Sequence, residues 1–222
     1  MIQRCLIVDT ETTGLDPATD AVIEIGVILY DVYHQTSLVH FSTLTERRKE
    51  NPCEAINRIP SAALASFVSP LDGSVILGSL IAAADVIVAH NAEFDASFLS
   101  AGDWTTLQWL CTKSDFYWPR QTRPGESLVS LALNHGIGVA SAHRALTDCQ
   151  LIAALFDRMT DLQAMFTYAQ RPKATFQALV SYDEREKAKT AGFEWDAVKK
   201  RWARRMAIED AAVLPFKTVT LP

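Results

Sequence analysis

Two acids, Asp9 and Glu11, sit one residue apart where the apolar run Cys5 to Val8 gives way to Thr12-Thr13-Gly14-Leu15, and this junction constrains the fold more than any other stretch. Cys5 to Val8 suit a buried strand, the threonines favour extended backbone, and Gly14 permits the positive φ of a tight turn. Residues two apart on an extended backbone point to one face, so the two carboxylates repel each other unless something positive lies between them. Taken alone, the stretch reads equally as a strand end with two solvated acids or as half of a divalent-cation site with oxygen ligands.

The rest of the chain supplies alternating strands and helices. Ala21 to Tyr30 reads as a central strand and Gln35 to Leu44 as a third, joined by short connections that make these neighbours antiparallel. Thr45 to Pro52 is charged and loop-like. A helix is expected to start at Pro60-Ser61 with Ser61 as its cap, another to cover Asp72 to Ala84, and Asp85 to Ala89 to form a short buried strand. After His90-Asn91 a helix carries Asp95 in its first turns, Gln108 to Cys111 is an edge strand, and Ser127 to Asn134 is an amphipathic helix ended by His135-Gly136. A loop holds His143, a helix of about a dozen residues from near Leu146 holds Asp148 close to its start, and a short helix follows from Asp161 to Tyr168.

Gln170 to Lys173 reads as a hinge, because composition changes there. Residues 1–169 carry 10 lysines and arginines against 19 acids, whereas residues 170–222 carry 11 against 7, so the basic part of a chain of net charge −5 is its C-terminal segment. Two units are therefore expected, 1–169 and 170–222, the second small and read as a strand (Ala178 to Tyr182), a helix (Asp183 to Ala191, stopped by Gly192) and a basic strand-like run (Lys199 to Met206). Four cysteines without a CxxC pair suit a reducing cytoplasm and neither a disulfide scaffold nor a zinc ribbon. The N-terminus leaves no room for a signal peptide before Asp9, and the longest apolar run, Val75 to Ala84, is too short to span a bilayer, so no membrane role is expected.

Asp9, Glu11, Asp95, His143 and Asp148 all fall at element ends, where they can converge above one edge of a mixed sheet. Four gathered carboxylates call for cations, and a pair of Mg²⁺ or Mn²⁺ ions is the economical inference, with a neutral histidine as the base that deprotonates an attacking water. The pieces D-T-E-T-T-G-L at Asp9 to Leu15, H-N-A-E-F-D at His90 to Asp95 and H-R-A-L-T-D at His143 to Asp148 resemble, in order, the three motifs of the DEDDh (DnaQ-like) 3′–5′ exonuclease superfamily. The flanking Cys111-Thr112, Trp118-Pro119 and Cys149 are most similar to exonuclease X and the proofreading subunit of bacterial DNA polymerases.

That resemblance, which covers roughly residues 5–160, implies a ribonuclease H-like α/β fold, a mixed central sheet flanked by helices, with a small α+β C-terminal unit. It implies that Asp9 bridges two metals, that Glu11 and Asp148 complete the site of the ion holding the attacking water, that Asp95 serves the second metal, and that His143 is the general base. Backbone around Thr12 and Thr13 would hold the terminal 3′-hydroxyl, Leu15 would wedge against the last base, and Asn91 and Phe94 would line the nucleotide pocket; His90 is placed there too, with a loop-bonding role as the alternative. The substrate expected is a nucleic-acid 3′ end, single-stranded DNA first and RNA second, with a polymerase or repair partner; a non-catalytic nucleic-acid-binding adaptor is the rival reading.

The tail carries its own expectation. Lys199, Lys200, Arg201, Arg204 and Arg205, interleaved with Trp195 and Trp202, suit a nucleic-acid surface, while Phe193, Trp195 and Trp202 equally suit the core of so small a unit. Glu186 to Trp202 is similar to a small module appended to some DNA-processing enzymes.

Overall fold

The computed structural model describes residues 1–45, 50–67 and 72–221. Its first layer is a five-stranded sheet of β1 (Arg4–Thr12), β2 (Val22–Asp31), β3 (Thr36–Leu44), β4 (Val86–Ala89) and β5 (Gln108–Cys111), in the order β3-β2-β1-β4-β5. β1–β2 and β2–β3 are antiparallel, while β4 joins β1 and β5 joins β4 in parallel, as the short and long connections dictate. The expected mixed sheet flanked by helices is thus what forms.

The helices follow in chain order: α1 (Glu54–Asn57), α2 (Ser61–Ser66), α3 (Gly73–Ala82), α4 (Ala92–Phe98), α5 (Leu128–Asn134), α6 (Ala145–Phe156) and α7 (Leu162–Ala169), with a 3-10 turn at Gly102–Thr105. Side chains of β1 alternate between two cores. Cys5 and Ile7 face α5, α6 and α7, and Leu6 and Val8 face α3. Capping places several helix starts: Asp72 accepts from the Ser74 and Val75 amides, Ser127 from Ser130 and Asp161 from Ala164.

Several expectations are corrected. Ser61 does not cap α2: it is the first helical residue, and its hydroxyl donates instead to Glu54 Oε2 at 3.1 Å. α3 begins one residue after Asp72 because that side chain is spent as the cap. Of the expected charged loop Thr45 to Pro52, residues 46–49 lie outside the described residues.

Residues 173–221 build a second sheet from β6 (Lys173–Ala178), β7 (Glu194–Asp196), β8 (Arg201–Ala207) and β9 (Thr218–Leu221), in the order β7-β8-β6-β9, with α8 (Arg185–Thr190) and α9 (Ile208–Ala212). The strand expected at Ala178 to Tyr182 ends where it was to begin. Phe176 and Ala178 reach the small core, whereas Leu179 and Tyr182 are exposed. Gln170 to Lys173, the expected hinge, carries two anchored side chains. The Arg171 guanidinium grips Asp210 at 2.7 Å and lies 3.7 Å over the Tyr168 ring, and the Lys173 ammonium is buried against Asp115 at 3.1 Å. No helix among the described residues is long and apolar enough to cross a membrane.

Candidate active site at the end of β1

Odd positions of β1 face α6, so the alternation that buries Cys5 and Ile7 carries Asp9 and Glu11 onto the same side. Across the ladder, Asp9 pairs with Gly26 and Glu11 with Glu24 of β2. Gly26 decides how close α6 can come. A Cβ there would lie 2.4 Å from the Leu146 amide nitrogen and 2.5 Å from the Ala145 carbonyl carbon, so only a glycine admits the helix backbone at this height. Beside it the Cys149 thiol donates to the Gly26 carbonyl at 3.3 Å; Cys149 is fully buried, and burial raises its pKa strongly, which leaves a small inert filler at the helix–sheet contact.

The start of α6 is fixed by Glu24. Its carboxylate, 4% exposed, accepts from Arg144 Nε at 3.0 Å, Arg144 Nη2 at 2.7 Å and the Ala145 amide at 3.1 Å. This bidentate grip turns Arg144 inward to a protein partner rather than toward a phosphate. It sets the first turn of α6 so that Asp148 meets Asp9 and Glu11: one carboxylate oxygen from each of the three lies within 4.8 Å of the others.

Asp95 stands next to this cluster. β4 ends at Ala89, and beyond it the 2%-exposed Asp95 of α4 takes over as β1's neighbour, accepting from the Thr10 amide at 3.0 Å and the Thr10 hydroxyl at 2.8 Å. Its charge is felt at Asp9. His143 is exposed on the loop before α6, in the left-handed region at φ 60°, and its backbone amide and ring both favour the charged form of Asp148.

The electrostatics are those of crowded like charges. Burial, then Asp95, Asp148, Glu11 and Glu24, hold Asp9 well above the usual carboxylate range. Glu11 is pushed up to about 8 by burial, then Asp148 and Glu24, with Arg144 pulling the other way. Burial raises Asp95 to about 7 against its two Thr10 hydrogen bonds, and raises Asp148 as well. The buried Asp148 Oδ1 has no hydrogen-bond partner. Three converging carboxylates, one oxygen orphaned, fit a hard divalent cation, which would supply the missing positive charge.

Other expected residues are distributed differently. Leu15, beside the acids in sequence, is 83% exposed. Thr13 is committed to the protein: its amide donates to the Ala21 carbonyl at 3.0 Å and its hydroxyl to Asp20 at 3.0 Å, while the Thr12 hydroxyl donates to the Gly14 carbonyl at 2.6 Å. Of the two roles expected for His90, the structure shows the loop-bonding one. Its Nδ1 meets the Thr112 hydroxyl at 2.9 Å and its Nε2 the Glu126 carbonyl at 3.1 Å, and burial pushes its pKa down to about 4, so the ring is neutral and has no free nitrogen. Asn91 is exposed at φ 77° at the start of α4, and Phe94 is half-buried against Phe98 with ring centroids 5.0 Å apart.

The tail's cations do not form one surface. Lys199 and Lys200 are exposed in the β7–β8 turn, Arg201 lies 3.8 Å from Asp196, Arg204 reaches the Ala191 carbonyl, and Arg205 is 3.4 Å from Asp115. Alternation along β8 explains the split. Phe193 is buried and Trp202 packs on the small core, whereas Trp195 is 51% exposed beside it. Glu24 and Gly26 are the site residues that sequence reasoning missed; the signal was there, an acid and a glycine inside the apolar run Ala21 to Tyr30.

A mixed sheet with carboxylates converging at the end of its central strand offers a place for a divalent cation. A family model described as "Exonuclease" matches residues 6–156, and the chain belongs to that family. It is an enzyme, a 3′–5′ exonuclease. A second model, a domain of unknown function (DUF8626), matches residues 174–221. The chain is 34% identical over 167 residues to a DNA polymerase III subunit epsilon of Treponema pallidum, covering 68% of this chain and 74% of that protein. It is 27% identical over 186 residues to a ribonuclease T of Buchnera aphidicola, covering 70% of this chain and 82% of that protein. Against DNA polymerase III PolC-type proteins of Thermotoga it spans 12% of their length. Among solved structures it is similar to exonuclease X in complex with 5′ overhanging duplex DNA, at a TM-score of 0.53 and 26% identity over 74% of this chain and 99% of that one.

Proposed function

We propose that this exonuclease hydrolyses the 3′-terminal phosphodiester bond of single-stranded DNA and releases nucleoside 5′-monophosphates. The observation that carries the reading is the meeting of Asp9, Glu11 and Asp148 oxygens within 4.8 Å of one another at the end of β1. Asp9, Glu11 and Asp148, with Asp95 alongside, would hold two Mg²⁺ or Mn²⁺ ions, which would supply activation of a water and charge neutralisation at the phosphoryl oxygens.

The chain's own residues do the rest. Asp9 feels the charges of Asp95, Asp148 and Glu11 together, so its carboxylate would be the group common to the ions' ligand sets. His143, exposed and next to Asp148, takes the proton from the attacking water through its ring. Leu15, exposed beyond the acids, wedges against the terminal base, and Asn91 and Phe94 at the start of α4 line the nucleotide's other side. With the Thr13 amide and hydroxyl already bonded, the 3′-hydroxyl falls to the remaining backbone at Thr12 and Gly14. RNA 3′-end trimming is the second reading, favoured by the ribonuclease T relatives. The epsilon-subunit relative supports a polymerase partner, and four free cysteines, three of them buried, suit a cytoplasmic location.

The test is release of label from a 3′-labelled oligonucleotide in Mg²⁺ or Mn²⁺, repeated with EDTA, for the wild type and for Asp9→Ala and Asp148→Ala. Chelator-sensitive release that both substitutions reduce by at least about 10³-fold is expected, because each removes one of the three carboxylates that would hold a metal ion. Release that survives EDTA, or near-normal rates in either variant, would overturn the assignment.

A further inference from the structure

Two cavities of about 180 and 410 Å³ lie along the seam between the nuclease sheet and the second sheet, and both are lined by Lys113, Pro124 and Arg204. They meet at these residues and make one groove. In the larger cavity the far wall is the start of α4, where Asn91, Ala92, Glu93 and Ala96 line it. Asp95, on the same short helix, is turned to β1 and the carboxylate cluster.

The walls are held together by the protein. The buried Asp115 carboxylate, after the end of β5, takes Lys173 of β6 at 3.1 Å and Arg205 of β8 at 3.4 Å, and also accepts from the Cys111 amide at 2.9 Å. Gly192, at φ 75°, packs directly on Pro124: a Cβ there would lie 2.5 Å from the proline Cβ. The groove is therefore a fixed part of the folded chain.

Its charge is unbalanced. Lys173 and Arg205 share Asp115, and Arg171 is committed to Asp210 and Glu209. Lys113 and Arg123 have no ion-pair partner among the described residues, whereas Arg204 is held to the Ala191 carbonyl and already feels the Asp210 charge. Two cations left over around a cavity of about 180 Å³, Lys113 and Arg123, mark a site for anionic oxygen. Lys113 is close enough to His90 for its charge to oppose protonation of that ring, so the cationic patch lies beside the strand end from which α4 begins. Trp109 in the larger cavity and the 64%-exposed Tyr117 in the smaller give aromatic faces next to the cations. Cations interleaved with aromatic faces along a groove suit a single strand, whose phosphates need the first and whose bases stack on the second. Glu93 and Glu194 also line the larger cavity, and their charge would turn a phosphate toward Lys113.

From this we infer that the seam groove binds the sugar–phosphate backbone of the single strand whose 3′ end enters the carboxylate cluster, with Lys113 and Arg123 as its phosphate contacts. The inference rests on the proposed function and adds that the second sheet is one wall of the substrate path. It makes turnover depend on strand length, because a short strand reaches the cluster without reaching the groove.

The experiment compares kcat/KM on 3′-labelled oligothymidylates of three and twelve residues in Mg²⁺, for the full wild-type chain, Lys113→Ala/Arg123→Ala and Lys113→Glu/Arg123→Glu. The wild-type ratio of long to short is expected to be about tenfold or more, to fall to about two in the alanine pair and to about one in the glutamate pair. A second arm measures binding of the twelve-mer by fluorescence anisotropy in EDTA across salt, where loss of two phosphate contacts lowers the slope of log K against log salt by about 1.4. A wild type that cleaves neither oligonucleotide removes the exonuclease reading alone, and the anisotropy arm still decides the groove. Equal ratios and equal salt slopes in wild type and variants overturn the groove. So does a defect confined to inhibition by thymidine 5′-monophosphate, which would make the site one for free nucleotide.

Discussion

Replacing Glu11 by Gln is expected to stabilise the metal-free protein at neutral pH while weakening the metal-bound one. Glu11 rises from an ordinary 4.5 to about 8 in the folded chain, through burial and the Asp148 and Glu24 charges. Between those two values the folded state keeps a proton that the unfolded state has released. Stability therefore falls as pH rises across this window, by about 1.4 kcal/mol per pH unit for one proton. Below 4.5 both states are protonated, and this slope vanishes. From 4.5 to pH 7 the full effect is roughly 3.4 kcal/mol, and solvent reaching the open side of the site leaves about 1–3 kcal/mol to observe. Gln cannot ionise and escapes the loss. Urea denaturation in EDTA at several pH values should show the variant matching the wild type near pH 4.5 and exceeding it by that margin at pH 7. Mg²⁺ at about 100 times its Kd should add roughly 2.7 kcal/mol to the wild type and less to the variant, closing the gap. Parallel pH curves for the two proteins in EDTA would refute the picture of Glu11 as an unwilling carboxylate awaiting a cation.

Three further outcomes follow from the packing. Gly26→Ala drives a methyl into the Ala145–Leu146 backbone and should cost about 1–3 kcal/mol of stability while lowering kcat more than it raises KM, read by thermal melts and steady-state kinetics. Arg144→Ala leaves the buried Glu24 without its bidentate partner and should destabilise by about 3 kcal/mol, with kcat falling because Asp148 and His143 lose the anchored turn between them; a normal kcat would make the Glu24–Arg144 grip purely structural. Asp115→Asn strands the buried Lys173 and should cost about 3 kcal/mol, and limited proteolysis should then cut first between residues 169 and 173; an unchanged cleavage pattern would show that other contacts hold the seam.

Much of the site was legible because its residues mark element ends. Asp9 and Glu11 close an apolar strand, Asp95 follows another, and Asp148 opens an apolar helix, so local pattern and residue type sufficed to single them out. The reading failed where a side chain's role depends on what the fold brings to it. For His90 the sequence left substrate contact and loop bonding open, and only the fold brought Thr112 and Glu126, distant in sequence, to its two ring nitrogens. The five cations of the tail read as one surface, but alternation on β8 sends Arg204 and Arg205 to opposite faces. The strand placed at Ala178 to Tyr182 was displaced because β9, only four residues long, pairs with Thr175 to Ala178.

The sequence by itself determined the alternation of strands and helices, the face shared by Asp9 and Glu11, and the ordered set of acids with one histidine. These depend on periodicity and spacing, which are properties of the chain. Only the tertiary structure decided that Gly26 admits α6 to the sheet, that Glu24 grips the turn delivering Asp148, and that Asp115 closes a groove between two sheets. Each of these is a contact across at least 58 residues of chain, between groups that no local pattern couples.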